Sequence, residues 1–198
     1  MTEELKQGLP IVEHPDQRSW EDWLERHHAD RSGAWLKLAK KNSPTPTVTF
    51  AEALESALCY GWIDGQISRY DEHHYLQRFT PRKPRSKWSQ INREKVTRLI
   101  EAGRMKPAGL AKIEAAKADG RWDDAYAPQS QIEVPDDFRL ALAANPEAKE
   151  FFETLTGSRR YAFLYRLHHV KTPDRREKRI ADYIERLSRH RTLETDSG

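Results

Sequence analysis

The chain of 198 residues has a single cysteine, Cys59. One thiol cannot close an internal disulfide, and it cannot build a zinc site made of cysteines. The sequence also lacks an apolar run long enough to cross a bilayer, so no membrane insertion is expected. Its first residues, MTEELKQGLP, show no apolar stretch behind a basic segment, which predicts that no signal peptide is present. A lone cysteine suits a reducing compartment, and we therefore expect a cytoplasmic protein.

A large excess of one charge is missing as well. Lys and Arg together number 34 and Asp and Glu 31, which leaves a formal net charge of +3. Because the whole chain is nearly neutral, any preference for an anionic partner must come from local clusters of cations. Aromatic residues make up 10% of the chain, and their large side chains can close a core despite the polar composition. This composition argues against disorder over most of the length.

Common sequence signatures of enzymes are also missing. No run fits GxxxxGK[ST], GxGxxG, GxSxG or HExxH, the patterns of familiar nucleotide-binding proteins, hydrolases and zinc proteases. Six of the eight histidines form three adjacent pairs, at positions 27–28, 73–74 and 168–169. Adjacent side chains point apart on a strand or a helix, so we interpret these pairs as surface residues. No metal and no cofactor is expected.

Apolar periodicity predicts strands and helices in the first half of the chain and helices alone in the second. Thr49 and Glu52 have the spacing of a capping box before a helix that Gly61 would end. Residues 62–69 and 74–80 alternate and flank a polar connection, which predicts a β-hairpin. After the hairpin the apolar spacing is helical. We predict an α+β fold with a small antiparallel sheet and helices in the N-terminal part and an all-helical C-terminal part.

The segment 121–131 contains Pro128 and is the candidate linker between two domains. The prediction is an α+β domain over residues 1–127, a helical domain over 132–192 and a tail over 193–198. The sequence leaves open the alternative that 121–131 merely joins helices of one domain. It leaves the oligomeric state open as well.

The densest cluster of cations runs from residue 78 to residue 95 and holds seven basic residues against one acid, Glu94. Arginine can grip a phosphate or a carboxylate with two parallel hydrogen bonds. The cluster leads into a helix whose predicted N-cap is Ser89, and the unpaired amides at a helix start attract anions. We therefore predict a site for a small phosphate- or carboxylate-bearing ligand. The basic residues are Arg78, Arg82, Lys83, Arg85, Lys87, Arg93 and Lys95.

The predicted ligand-binding site adds hydrogen-bonding and aromatic side chains to these cations. In this hypothesis Trp62 or Trp88 stacks on the ligand, while the arginines hold its charge. Asn92 or Asp64 would set its orientation. The alternative is a solvated loop whose arginines pair with nearby acids such as Glu101. The predicted ligand-binding residues are Trp62, Asp64, Arg78, Arg82, Arg85, Ser86, Trp88, Ser89 and Asn92.

Asp64 is the one named candidate for a catalytic role. It shares a face of the predicted strand with Trp62 and Gln66, either on the wet side of the sheet or in the wall of a cleft. The alternative function is an enzyme that uses Asp64 or a histidine as acid or base on a small anionic substrate. Cys59 lies near the C-terminal end of a helix, where a thiolate is disfavoured, so we predict a small buried hydrophobe there.

A second basic run extends from residue 171 to residue 191, with eight basic residues and four acids. Several of its acids lie three or four residues from a base, the spacing of ion pairs on a helix surface. The pattern favours an ordinary solvated helix. A nucleic-acid face or a docking surface for an acidic partner is the alternative.

Three runs of residues resemble the YdeI/OmpD-associated family of bacterial proteins, also called bacteriocin-protection proteins. They are ALCYGWIDG from Ala57, YLQRFTPRKPRSKWSQIN from Tyr75 and RLIEAGRMKPAGLAKIEAAKADGRWDDAY from Arg98. The resemblance extends from Trp20 to about residue 190. It includes the stretch from Val134 onward, which resembles the helical domain of the family.

The resemblance implies a link to envelope stress and to tolerance of bacteriocins or cationic antimicrobial peptides. It implies no catalytic residues. Where the family tends to have Thr-Arg, this chain has Arg175 and Arg176.

Overall fold

The computed structural model describes residues 4–193. The chain divides between Ala125 and Tyr126 into two compact units. Each unit is built around its own cluster of buried apolar side chains. The predicted tail at 193–198 lies outside the described residues, apart from Leu193. No helix in the described part of the chain has both the length and the apolar character needed to cross a membrane.

The first unit contains a five-stranded sheet and four helices, and the predicted α+β class is confirmed. The strand order is β1-β2-β3-β5-β4. Strands β2 and β3 run parallel because α1 crosses between them, whereas the other neighbours are antiparallel, so the sheet is mixed rather than purely antiparallel. The elements are β1 Leu5–Lys6, β2 Leu9–Glu13, α1 Gln17–His27, β3 Ala34–Ala39, α2 Phe50–Cys59, β4 Trp62–Arg69, β5 His74–Pro81, α3 Gln90–Glu101 and α4 Pro107–Ala118.

The predicted capping box starts α2 as expected. The Glu52 amide donates to Thr49 Oγ1 at 3.3 Å, and the Thr49 amide donates to the Glu52 carboxylate at 2.9 Å. Past the end of α2, Gly61 has φ +75°, and a Cβ there would lie 2.8 Å from the Ala108 carbonyl oxygen. Glycine is therefore required at this position for two reasons, its left-handed backbone conformation and the close approach of α4.

The predicted hairpin is confirmed, but β4 contains a bulge that breaks its alternation. Asp64 lies opposite Phe79 and Ile67 opposite Gln77, so β4 uses one more residue than β5 between these pairs. Gln77 is 1% exposed, and its side-chain amide donates to the Gly65 carbonyl in the bulge at 2.9 Å. Beyond the bulge Ile67 is 71% exposed instead of packing beneath the sheet.

The second unit is all helical in its described residues, as predicted. Its core is an aromatic cluster in which Phe163 contacts the rings of Phe152 and Tyr183 edge to face. Such edge-to-face pairs add to the stabilisation from apolar burial. The helices are α5 Asp136–Ala143, α6 Pro146–Thr154, α7 Gly157–His168 and α8 Pro173–Ser188.

Candidate anion-binding site

The loop that joins β5 to α3 carries the predicted cations, and its backbone is tied down at both ends. The Arg82 amide donates to the Gly61 carbonyl at 2.9 Å, and the Ser86 amide donates to the Lys83 carbonyl at 3.0 Å. At the far end the Ser89 hydroxyl accepts from the Asn92 amide at 3.2 Å, which confirms Ser89 as the N-cap of α3. The loop therefore holds its side chains on a fixed backbone.

Arg82 is the central cation of this loop, with only 3% of its surface exposed. Its Nη1 donates to the Lys87 carbonyl at 3.0 Å, and its Cζ lies 3.7 Å from the centroid of the Trp88 ring. A guanidinium above an aromatic face is held by the negative charge of the ring face. Because both contacts restrict its rotation, the positive charge of Arg82 is oriented before any ligand arrives.

Trp88 supports Arg82 rather than presenting an open face. The Trp88 side chain is 2% exposed, and its ring meets that of Trp122 edge to face at 5.1 Å. With the Arg82 guanidinium over the ring, Trp88 acts as a platform for the cation. The predicted role in stacking on a ligand does not fit this arrangement.

A hollow of about 250 Å³ opens between this loop and α4. Among residues 4–193, four cationic side chains and no acidic side chain line it. The space exists because α4 presents alanine at positions 111 and 115, one helical turn apart, on the side that faces the loop. The lining residues are Arg82, Lys83, Pro84, Trp88, Ala111, Lys112, Ala115 and Arg121.

Arg121 closes one side of the hollow and is partly neutralised. Its Nε lies 2.8 Å from both carboxylate oxygens of Asp119, and its Nη1 donates to the Ser86 carbonyl at 2.8 Å. The hydrogen bond from Arg121 holds the pKa of Asp119 below its usual range. By contrast, Lys83 and Lys112 form no ion pair with any residue from 4 to 193. The uncompensated charge of the hollow thus comes mainly from lysines beside a fixed arginine.

The other predicted loop residues lie outside the hollow. Arg85 is exposed, and the hydroxyl of Ser89 is engaged in the helix cap. Ser86 contributes its carbonyl oxygen, which positions Arg121. Asn92 lies in the first turn of α3, and its amide donates to Ser89. A ligand in the hollow would therefore contact α4 rather than the start of α3.

On the sheet, Trp62 belongs to the core and does not offer its ring to a ligand. It is 1% exposed, and its Nε1 donates to the His28 carbonyl at 3.1 Å. Arg78 lies on β5 next to the bulge, where its side chain passes beside Gly65. Trp62 is buried because the face of a sheet that packs on the core is dry, whatever the polar pattern of the strand.

Asp64 is half-buried on β4. Burial raises the pKa of its carboxyl, and the charge of Arg82 partly opposes that rise. A carboxyl with a raised pKa can exchange a proton closer to neutral pH. Asp64 does not line the 250 Å³ hollow, so its role as an acid or base stays a prediction.

Cys59 behaves as predicted for a buried hydrophobe. It is 2% exposed, and burial raises the pKa of its thiol to about 11. Its carbonyl oxygen lies so close to α4 that a Cβ on Gly109 would approach it to 2.2 Å. The end of α2 therefore serves to seat α4, which forms one wall of the hollow.

Lys112 and Arg121 were not among the predicted ligand-binding residues. The sequence does hold one indication of Lys112. It lies between Ala111 and Ala115 on α4, where small side chains leave room beside a cation. Nothing local to Arg121 indicates its contact with Ser86, which lies 35 residues earlier.

Two family models match the chain. Residues 12–112, just over half of the chain, match a family described as a domain of unknown function, DUF8412. Residues 131–190 match the family described as Bacteriocin-protection, YdeI or OmpD-Associated. Comparison with curated proteins and with solved structures found no match. Most of the hollow, up to Lys112, falls within the first matched range, while Ala115 and Arg121 lie just beyond it.

Proposed function

The chain belongs to the DUF8412 family through its first unit and carries a YdeI/OmpD-associated, bacteriocin-protection domain in its second. We propose that the first unit binds a small anion. The ligand is a phosphate- or carboxylate-bearing molecule, held in the hollow between the β5–α3 loop and α4. The observation that carries the proposal is that the described residues of the lining include four cations and no acid, and that one of these cations is the buried, oriented Arg82.

The fixed orientation of Arg82 supports binding of an anion. Trp88 and the Lys87 carbonyl hold its guanidinium in place. An anion at the mouth of the hollow would therefore meet a positive charge that is already oriented, and it would bind without reorganising the loop.

The size of the hollow supports a small ligand. Its volume of about 250 Å³ falls below the roughly 300–1,000 Å³ of pockets that take drug-sized molecules. A phosphate, a short carboxylic acid or a small phosphorylated metabolite fits that space. A nucleic-acid strand would need a longer cationic track, so binding of nucleic acid at this hollow is the less favoured alternative.

The decisive experiment places a negative charge in the wall of the hollow. Ala115 is exposed on α4, so substitution there is compatible with folding. We expect Ala115→Glu to weaken binding of inorganic phosphate or citrate by about tenfold or more, because the new carboxylate competes for Lys112 and Arg121. Isothermal titration calorimetry at low salt measures the affinity.

Ala115→Gln is the matched control, since it has the same size without the charge. Equal affinities for Ala115→Glu and Ala115→Gln would show that the anion is not bound in this hollow. A melting temperature that no anion raises, for the unmodified protein, would remove the proposal altogether.

The proposed physiological role rests on the family of the second unit, which is described as a bacteriocin-protection family. We extend that description to a role in tolerance of envelope stress, bacteriocins or cationic antimicrobial peptides, exerted from the cytoplasm. Deletion of the gene should lower survival under a cationic peptide, and the unmodified gene should restore it. Failure of the Ala115→Glu gene to restore survival would link the role to anion binding; full restoration would separate the two.

A further inference from the structure

The second unit contains a larger hollow, of about 830 Å³, where the end of α7 and the following turn meet α8. Its cationic lining residues are Arg166, Lys171, Arg175, Lys178, Arg179 and Arg186, and one acid, Asp182, also lines it. The basic run at 171–191 is therefore not spread evenly around a solvated helix. Much of it lines a single concavity.

Some cations on α8 are paired with acids, and others that line the hollow are not. Arg186 is paired with Asp182 at 3.0 Å, one helical turn away, and Arg189 with Glu185 at 2.8 Å. Across residues 4–193, in contrast, Arg175, Lys178 and Arg179 have no ion-pair partner. These unpaired cations of the lining all lie in the first half of α8.

The start of α8 adds to this positive potential. The helix begins at Pro173, and its N-cap Thr172 makes no side-chain hydrogen bond to the first turn. Unpaired amides and the positive end of the helix dipole lie at such a start. The helix start adds to a cation cluster that stands independently of it.

Tyr183 provides a separate sign that the hollow takes a ligand. This residue is 1% exposed and belongs to the hollow's lining. Its hydroxyl is buried, and it has no hydrogen-bond partner among the described residues. A buried hydroxyl without a partner is destabilising, so such a group calls for another polar atom, from a water or a ligand, to bind beside it. The guanidinium of Arg179 lies above the same ring, 5.8 Å from its centroid.

We propose that this hollow binds a compact ligand that carries two or more neighbouring phosphate groups. The volume lies within the roughly 300–1,000 Å³ of small-molecule sites. Arg175 and Arg179 are one turn apart, about 6 Å along the helix axis, so both can reach adjacent phosphates. A long nucleic-acid strand is less suited, because the ion pairs of Arg186 and Arg189 interrupt the cationic track.

The test is a calorimetric titration of the full chain with tripolyphosphate, in the Ala115→Glu background so that binding in the hollow of the first unit is weakened. We expect one site, with affinity for tripolyphosphate well above that for orthophosphate. Arg175→Gln and Arg179→Gln should each lower the affinity about tenfold, the loss of one charge-assisted contact.

Arg189→Gln removes the same charge from the far end of α8 and is the matched control. We expect it to change the affinity less than about twofold, because Arg189 is already paired with Glu185. Tyr183→Phe should lower the affinity severalfold and leave the melting temperature of the ligand-free protein unchanged or slightly higher. It removes only the unpartnered hydroxyl.

Equal losses for Arg175→Gln and Arg189→Gln would overturn the proposal, since they would indicate diffuse attraction. It would also be overturned if oligothymidylates bound more tightly than tripolyphosphate, with affinity rising with strand length. An unchanged affinity in Tyr183→Phe would also overturn it, because the buried hydroxyl of the lining would then not contact the ligand. None of these outcomes bears on the hollow of the first unit, which the Ala115→Glu and Ala115→Gln pair tests separately.

Discussion

In the first unit the key cation is buried, whereas in the second unit the uncompensated cations are exposed on a helix. Arg82 is 3% exposed and fixed by Trp88 and a carbonyl oxygen, while Arg175 and Arg179 project from α8 into solvent. A fixed cation with a small hollow favours one small anion, because little entropy is lost on binding. Long exposed arginines lose more rotamer freedom, so they need a ligand with several charges to hold them.

The second unit also contains a counterpart to Arg82. Arg176, the neighbour of Arg175, donates from Nη1 to the Leu167 carbonyl at 2.7 Å and from Nη2 to Asp137 at 2.9 Å. Its Nε also contacts Asp137. One arginine of the adjacent pair thus fastens the helices together, and the other faces the hollow. The comparison separates cations that stabilise a fold from cations that are available to a ligand.

The largest expected effect is that of Arg82→Ala. Removing this side chain deletes the contact with Trp88 and leaves the Lys87 carbonyl without its donor, so we expect a loss of about 3 kcal/mol in the free energy of unfolding. All six tryptophans lie before Ala125, so tryptophan fluorescence during urea unfolding reports on the first unit alone. Lys83→Ala, on the exposed part of the loop, is the control and should change stability by less than about 0.5 kcal/mol. Similar losses in both variants would contradict the structural role of Arg82.

A smaller loss is expected for Arg176→Ala in the second unit. The side chain is 22% exposed. Its removal takes the ion-pair partner from Asp137 and a donor from the carbonyls of Leu167 and Val170, at a cost of about 1–2 kcal/mol. Arg175→Ala should be nearly neutral. Helical circular dichroism during urea unfolding measures the effect, and the tryptophan transition should not move. If Arg175→Ala destabilised as much as Arg176→Ala, the distinction between the two arginines would fail.

Ser89→Ala should cost about 1 kcal/mol, the usual value for an N-cap, and leave anion affinity unchanged. The Ser89 hydroxyl is engaged in the cap of α3 and does not line the hollow. Tryptophan fluorescence gives the stability and calorimetry with phosphate the affinity. A fall in affinity with the fold intact would place the ligand at the start of α3, as the sequence predicts, and not against α4.

The smallest effect concerns Asp64 and depends on pH. Burial raises the pKa of Asp64 in the folded state, so its ionised form is less favourable there than in the unfolded chain. The penalty is absent below the unfolded pKa, grows as pH rises through the folded pKa and is complete above it. Asp64→Asn should therefore raise stability at pH 7 by of the order of 0.5 kcal/mol, and by nothing near pH 3. A gain that is the same at both pH values would show that charge is not its cause.

Much of the fold is readable from the sequence because its signals are local. The capping box at Thr49 and Glu52, the N-cap at Ser89 and the burial of Cys59 each depend on residues within a turn or two along the chain. The hairpin is equally local. The bulge at Gly65 is not, because it depends on the buried amide of Gln77 across the sheet. A strand that alternates without a bulge would place Ile67 on the same face as Ile63, whereas in the structure Ile67 is exposed.

The sequence predicts where the candidate site lies, but not the role of each residue in it. The cationic loop, Arg82 and Trp88 follow from the cluster of basic residues, but their roles depend on burial. Lys112 and Arg121 reach the hollow because Gly61 and Gly109 let α4 approach the end of α2 closely. A sequence pattern shows which side chains carry charge, and it does not show which of them the packing of distant elements will enclose.

The sequence by itself determined the helices, the hairpin, the all-helical second part and the two regions rich in cations, since hydrogen bonding and periodicity over a few residues encode these. Tertiary structure alone decided which cations are structural and which face open space. Ser86 and Arg121 are 35 residues apart, and Asp137 and Arg176 are 39 apart. Contacts at that separation depend on how whole elements pack, because the burial of a charge is set by everything that surrounds it.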